Sequence, residues 1–489
     1  MYVLLSQNSF VRVTERYGYI VNQLTHYDRV YDSFGAILLQ ELGRTTKSVE
    51  SIVAHLLTIF TGVNKDELYS DFMEFVEELN REYFVILGEN EDLAKDDYSF
   101  SYSLSGFEAT DPVVLSEGGI FGDTQSFFMK EKQGRPMISS LQFELSSRCN
   151  ERCIHCYIPN QKKDTGSEMP TEKVMAIIDE FAELGGLHVT LSGGEAFLNK
   201  DVVKIARYAR SKDLMVTILS NLIAINDSQI EELSSLNLAL VQTSLYSMNP
   251  ETHDYITKRR GSFARTKKAI EKLVKANIPV QISCPIMKAN VGDYSDVVNY
   301  AKSLKVSIHT DYIMMAQADC DTSNLVNRLS LEETEKLLRE QMNSGHFGLD
   351  HFLVEKAISE KNQASEDFPN QPLCGVGYDN CCITANGDVY PCAGWQDMVL
   401  GNINKLRLKD IWENSDVIKR LRNVKQSSFP KCLKCEAQDY CSRCLVRNYN
   451  ESHGDMFAIS EHFCKVAFLT KKLVEERMNS SITGRQSQP

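Results

Sequence analysis

The placement of cysteine constrains this chain more than any other feature. Of 14 cysteines in 489 residues, three sit at Cys149, Cys153 and Cys156, nine fall between Cys374 and Cys464, and only Cys284 and Cys320 stand alone. In a reducing compartment such clustering points to metal rather than to disulfides. That compartment is expected to be the cytoplasm. The stretch Met1–Ser6 lacks a basic n-region and a long apolar core, so no secretory signal is expected. No apolar run approaches the roughly 20 residues of a membrane span. The formal net charge of −13 speaks against nucleic acid as the main partner, because phosphate binding relies on Lys and Arg.

Hydropathy patterning divides the chain into six stretches. Residues 1–95 read as a small α+β unit, with strands at Phe10–Thr14, Tyr17–Asn22 and Arg29–Tyr31. Its helices are expected at Gly35–Leu42, from a cap at Ser48 to about Phe60, and along an apolar face of Leu68, Phe72, Phe75, Val76 and Leu79. Residues 96–135, rich in Ser, Asp and Gly, read as a linker. Residues 136–325 alternate strands (Leu141–Leu145, His188–Ser192, Met215–Ser220, Ala239–Ser244, Val280–Ile286, Ser307–Ile313) with helices (Thr171–Glu183, Val202–Arg210, Ser228–Leu236, Phe263–Lys275, Tyr294–Ser303). Repeated β–α units of this length predict an α/β fold with a parallel sheet, and six units predict a partial (β/α)6 barrel. A capping box at Ser330–Glu333 opens a bridging helical region, 326–371. Residues 372–470 form a turn-rich, cysteine-rich unit. Residues 471–489 form a tail that is polar and expected to be disordered beyond Arg477.

The segment Cys149–Cys156 has C-x3-C-x2-C spacing and directly follows the first predicted barrel strand. Three thiolates from one short loop can hold three irons of a 4Fe–4S cluster and leave the fourth iron without a protein ligand. Structural zinc fits poorly, since it needs four ligands and prefers paired C-x2-C spacings. In this loop the chain resembles the radical S-adenosylmethionine (SAM) superfamily. The resemblance implies that SAM chelates the open iron and is split to a 5′-deoxyadenosyl radical that abstracts hydrogen. It places His155 and Tyr157 near adenine. Ser192-Gly193-Gly194-Glu195, after the second strand, resembles the Gly-Gly-Glu motif that binds the cofactor's amino group. Ser220, Asn221 and Ser244, at the ends of the third and fourth strands, take the positions of groups that meet ribose and carboxylate. Small polar residues at strand ends are also ordinary turn formers.

The second field runs Cys374, Cys381, Cys382, Gly387-x4-Cys392, then Cys432-x2-Cys435-x5-Cys441-x2-Cys444, then Cys464. Two zinc ribbons are one reading of such C-x2-C pairs. The order also resembles a SPASM domain, which binds two auxiliary 4Fe–4S clusters. That resemblance implies Cys374, Cys392 and Cys444 for the nearer cluster, and Cys432, Cys435, Cys441 and Cys464 for the farther one, making three clusters in all. Two departures stand out. The usual C-x3-C is contracted to Cys441-Ser442-Arg443-Cys444, and Cys381 and Cys382 are additional. One of the pair completes the nearer cluster, or neither does and an iron stays open for a substrate thiolate. Cys284 and Cys320 read as structural.

Three strands followed by three helices is a winged-helix-like order, yet residues 1–90 carry 7 Lys/Arg against 13 Asp/Glu, which disfavours DNA. From about Gln7 to Leu87 the unit resembles the PqqD-like recognition element of enzymes that modify ribosomally synthesised peptides. A leader peptide is then expected to add a strand at the edge near Asp28–Phe34, against the third helix. A plain docking domain is the alternative.

Together these parts imply a maturase that installs an intramolecular thioether, of sactionine or ranthionine type, in a ribosomally made peptide, fed electrons by a flavodoxin or ferredoxin. Rivals are a carbon–carbon or carbon–oxygen crosslinking maturase, an epimerase, a formylglycine-forming sulfatase-maturing enzyme, and a zinc-stabilised interaction protein. The sulfatase-maturing pattern carries an acidic residue after the cysteine aligned with Cys392, where this chain has Ala393. No residue is singled out as the catalytic acid or base.

Overall fold

The computed structural model describes residues 1–102, 134–343, 353, 356–357, 359–360, 363–364 and 366–485. Most of the expected linker, part of the bridging region and the last four residues of the tail therefore lie outside the described residues.

The N-terminal unit builds two small antiparallel sheets under three helices. One is a meander of β2 (Ser9–Val13), β3 (Gly18–Asn22) and β4 (Asp28–Tyr31), in which β4, among the described residues, pairs with β3 alone. The other, which the sequence reading missed, sets β1 (Tyr2–Leu5) between β5 (Lys47–Ser48) and β6 (Val85–Gly88). Helices α1 (Ser33–Gln40), α2 (Val49–Ile59) and α3 (Lys65–Arg81) follow the expected pattern. Ser48 caps α2, its Oγ accepting from the Ser51 amide at 3.1 Å. The α3 stripe of Leu68, Phe72, Phe75, Val76 and Leu79 is buried in this unit's own core.

A nine-stranded sheet carries the rest of the chain. Six strands run parallel in the order β12-β11-β10-β9-β8-β7: β7 (Ser140–Glu144), β8 (His188–Ser192), β9 (Met215–Ser220), β10 (Leu240–Ser244), β11 (Val280–Pro285) and β12 (Ser307–Asp311). Helices Thr171–Glu183, Val202–Ser211, Asp227–Ser234, Ser262–Lys275 and Tyr294–Leu304 connect them. Alternation sorts the side chains into two lanes. Leu141, Phe143, Val189, Leu191, Val216, Ile218, Val241 and Ile282 pack under the helices in the main core. The opposite lane carries Gln142, Glu144, Thr190, Ser192, Gln242, Ser244, Gln281 and Ser283 together with Met215, Leu219 and Leu240, so the inner face of this open barrel is mostly polar.

The sequence reading treated the cysteine-rich unit as separate from the barrel, and here the structure corrects it. β13 (Asn380–Ile383) pairs in parallel with β7, Cys381 beside Leu141 and Cys382 beside Gln142, and β14 (Asp388–Tyr390) and β15 (Gly401–Asn402) extend the sheet. A second correction concerns the tail. The helix Glu461–Arg485 runs past Arg477 instead of dissolving into coil. Its Leu473 and Val474 pack on Leu338 and Met342 of helix Leu331–Asn343, a contact that carries the following residues as helix.

The N-terminal unit docks on the loops that precede the barrel strands. Arg12 donates from Nε to the Gly186 carbonyl at 2.8 Å and from Nη2 to the Asp213 carbonyl at 2.6 Å. Asn237 donates to the Gln7 carbonyl at 3.0 Å, and Arg210 stacks 4.9 Å from the Phe10 ring centroid. Tyr102 bonds Ile278 and Val280 on the same face. All these partners lie at the N-terminal ends of strands. The cysteine loop lies at the opposite end.

Candidate functional site

The loop leaving β7 is pinned from several elements. The Gly194 amide donates to the Ser146 carbonyl at 2.8 Å, and the Glu195 amide to the Arg148 carbonyl at 2.9 Å, tying the end of β8 to the approach to Cys149. The Arg152 and Ile154 amides bond the Thr257 and Ile256 carbonyls at 3.0 Å each, and the Ala318 amide bonds the Tyr157 carbonyl at 2.8 Å. A side chain at Gly194 would meet the Arg148 and Ser147 carbonyls, and Gly193 adopts φ +147° with its Cα against the Ser146 backbone. Glycine is required at both positions by close approach of backbone to backbone.

This loop gathers Cys149, Cys153 and Cys156. Burial pushes the Cys149 thiol up to about 11, Cys156 adding to it. Burial also raises Cys153 strongly, followed by Glu151, Cys156 and Cys149. Partly buried thiols at Cys149 and Cys153, each raised further by the neighbouring Cys156, suit a cationic iron cluster, which relieves both penalties. Two further buried atoms, Glu151 Oε1 and His155 Nδ1, have no hydrogen-bond partner. Such atoms are costly unless a ligand satisfies them.

The expected cofactor-binding residues converge here. Glu195 is buried, and its carboxylate accepts from Ser220 Oγ at 2.5 Å, the Asn221 amide at 2.8 Å and the Phe197 amide at 3.0 Å. Burial raises its pKa against these bonds. Asn221 also reaches Asn150 of the cysteine loop at 2.6 Å. Ser244 ends β10 beside Tyr246, whose hydroxyl lies 3.4 Å from His155 Nε2 and 4.0 Å from Cys153 Sγ. Tyr157 is held close to Cys156, Cys382 and Cys392, its phenol driven upward chiefly by burial. Two adjacent glycines, a buried carboxylate with lone pairs to spare and unpaired polar atoms fit a SAM molecule over a three-thiolate cluster.

The second field separates into two neighbourhoods. Burial pushes Cys374 up to about 12, and Cys444 and Cys392 raise it further. Cys392 likewise responds to burial and then Cys444. Burial takes Cys441 to about 11, with Cys464 next, while Cys464 senses Cys432 and Cys435. Cys382 shares the lane of Gln142 and Glu144 and senses Cys392 after burial and Glu144, whereas Cys381 points into the main core. Cys284 is buried in that core, and Cys320 donates to the Tyr449 carbonyl at 3.8 Å. Among the described residues no group of three or more His, Cys, Asp or Glu side chains is placed to hold a metal ion.

Several residues here escaped the sequence reading. Glu144 is buried at the end of β7, pushed up to about 7 by burial, and its two oxygens accept from Gln396 Nε2 at 2.9 and 3.1 Å. With Lys162, Gly194, Asp388, Tyr390 and Gln396 it lines a cavity of about 230 Å³ between barrel and hairpin. Tyr246 and Glu151 are the others. An acidic residue closing a buried strand was the one available signal, for Glu144.

Residues 143–314 match the radical SAM superfamily and residues 374–436 the iron–sulfur cluster-binding SPASM domain. The chain is a radical SAM enzyme with a SPASM domain. This radical SAM enzyme is 29% identical over 338 residues to an AdoMet-dependent heme synthase of Methanosarcina barkeri, covering 66% of this chain and 95% of that one. It is 26% identical over 324 residues to the antilisterial bacteriocin subtilosin biosynthesis protein AlbA of Bacillus subtilis, covering 65% and 69%. Its fold is similar to that of Streptococcus suis SuiB bound to precursor peptide SuiA, with a TM-score of 0.60, 15% identity, and coverage of 94% and 99%. Among the described residues no helix is long and apolar enough to cross a membrane.

Proposed function

We propose that this radical SAM enzyme is a cytoplasmic maturase that forms an intramolecular thioether in a ribosomally synthesised precursor peptide. When bound, SAM and the first cluster supply a 5′-deoxyadenosyl radical that takes a hydrogen atom from the peptide. Cys149, Cys153 and Cys156 hold that first cluster; Gly193, Gly194, Glu195, Ser220, Asn221 and Ser244 seat SAM, with His155 and Tyr157 beside it. Cys374, Cys382, Cys392 and Cys444 hold a second cluster, and Cys432, Cys435, Cys441 and Cys464 a third. Cys382 is preferred to Cys381 because its side chain shares the lane of Glu144. In forming the C–S bond the peptide gives up one hydrogen atom from carbon, one proton from its thiol and one electron, which returns through the cysteine-rich unit.

The observation that carries the reading is the meeting of two cysteine fields on one sheet, around a polar barrel mouth. The peptide substrate is favoured by extent. The match to the heme synthase leaves about a third of this chain without a counterpart, whereas the likeness to SuiB spans 94% of it. The free outer edge of β4 also supports leader docking, since Tyr31 there meets Phe75 of α3 with ring centroids 5.2 Å apart and Arg29 pairs with Glu82.

The test is mass spectrometry of a co-expressed precursor, with thiol alkylation. A thioether gives a loss of two hydrogens and one fewer alkylatable cysteine. A loss of two hydrogens with every thiol still reactive sinks the thioether in favour of a carbon–carbon or carbon–oxygen crosslink, and an unchanged mass with altered stereochemistry indicates epimerisation.

A further inference from the structure

The contraction between Cys441 and Cys444 brings a cation into the farther cysteine set. Arg443 occupies the shortened loop and is half-buried among Cys432, Cys441 and Cys435. One helical turn on, Arg447 is 5% exposed, stacks 4.0 Å over the Phe463 ring centroid and donates from Nη2 to the Ser442 carbonyl. Both arginines line a single cavity with Cys432, Cys441, Cys444 and Cys464.

Each guanidinium keeps one nitrogen, Nη1, buried without a hydrogen-bond partner. A charged donor stripped of water and left unpaired is expensive, and arginine does not escape by losing its proton. The cavity sets sulfur acceptors of Cys432, Cys441, Cys444 and Cys464 before this pair, beside the oxygens of Ser442, Asn448 and Ser460.

We propose that Arg443 and Arg447 donate N–H···S hydrogen bonds to the iron–sulfur cluster of Cys432, Cys435, Cys441 and Cys464 and raise its reduction potential. The inference rests on the ligand assignment given above. Adding one electron to a cluster bound by four thiolates makes an anionic centre more anionic, so fixed positive charge and donors to sulfur favour the reduced form. Two arginines therefore bias this cluster, the one farther from the barrel mouth, toward accepting the electron that the peptide releases.

Anaerobically reconstituted full-length protein tests this by redox titration followed by electron paramagnetic resonance, alongside iron and sulfide analysis. In Arg443→Met one of three couples should move negative, its reduction constant falling at least tenfold, or about 59 mV for one electron. The other two should stay in place, and Arg443→Lys should recover part of the shift. A full iron complement with unmoved potentials in Arg443→Met overturns the proposal. If Arg443→Met does not hold the third cluster, Arg447→Met carries the same decision, an unmoved potential there being equally fatal. A parent protein with about eight irons instead of twelve would defeat the ligand assignment itself, and the iron count separates that failure from the other.

Discussion

Substituting Gly194 by alanine tests the geometry of the radical site without any peptide. A Cβ there would stand 2.6 Å from the Arg148 carbonyl carbon and 2.7 Å from the Ser147 oxygen, with the Arg148 oxygen closer still. Ordinary contact begins at 3.4 Å, so β8 and the cysteine loop must part by about 1 Å. Neither neighbour is a flexible side chain; both are backbone, tied to this strand end by the amides of Gly194 and Glu195. Overpacking of this kind costs about 1–3 kcal/mol, which leaves the protein folded. The function should suffer more, because Arg148 immediately precedes Cys149, and a displacement near 1 Å costs about 100-fold in a positioned reaction. The assay is formation of 5′-deoxyadenosine from SAM with a strong reductant after anaerobic reconstitution. Gly292→Ala, whose Cβ would meet nothing within 4 Å, is the control. Parental rates of 5′-deoxyadenosine formation in Gly194→Ala would refute the close approach of β8 to this loop as the element that positions SAM cleavage.

Three further outcomes follow from the same geometry. Ser220→Ala removes a 2.5 Å bond from a buried carboxylate, at a cost of about 1–3 kcal/mol, so SAM should bind about five- to 150-fold more weakly by calorimetry. His253, 1% exposed, accepts from the Tyr246 amide at 3.3 Å, and burial lowers its pKa from 6.5 to about 4. The unfolded chain therefore takes up that proton first: stability is complete above pH 6.5 and declines as pH falls toward 4, by about 1 kcal/mol at pH 5.5, and denaturation midpoints of His253→Gln should show a correspondingly flatter acid limb. If a leader docks on β4, it starts from the end of the barrel opposite the cysteine loop. Strands of five residues, as β7 and β8 are, and two inter-strand steps make about 26 Å, so a spacer shorter than about eight extended residues should abolish modification while leader binding, followed by fluorescence anisotropy, is unchanged.

The barrel strands were legible to within about two residues because each alternates apolar and polar side chains and is flanked by helices of matching period. Ser48 and Ser330 were legible as caps, since capping chemistry is local, and both make the expected bonds. What the sequence concealed is non-local. Cys381 and Leu141 are 240 positions apart, and nothing in either segment announces that β13 will lie parallel to β7. Glu144 and Tyr246 belong to no spaced motif; their roles come from what the fold sets beside them. The helical run to Arg485 was hidden for a related reason, because its polar composition argues for coil until Leu473 and Val474 find Leu338.

The pairing of β13 with β7 also decides which of two adjacent cysteines shares the Glu144 lane. Side chains alternate faces along a strand, so a register shifted by one residue would exchange Cys381 and Cys382 between core and mouth. The observed register places Cys381 against Leu141 and Ile383 against Phe143, both among buried apolar neighbours. Slipping would bury the Glu144 lane's partner in hydrocarbon and lift Ile383 out of it, at a cost of about 1.5–3 kcal/mol for that isoleucine alone. Apolar packing of two residues that take no part in chemistry thus holds Cys382 beside Glu144 and within reach of Cys392 and Tyr157. Since Tyr157 follows Cys156 directly, the loop of the first cysteine field meets the second field beside this register-fixed strand, where its own backbone is pinned by the Ala318 amide at 2.8 Å.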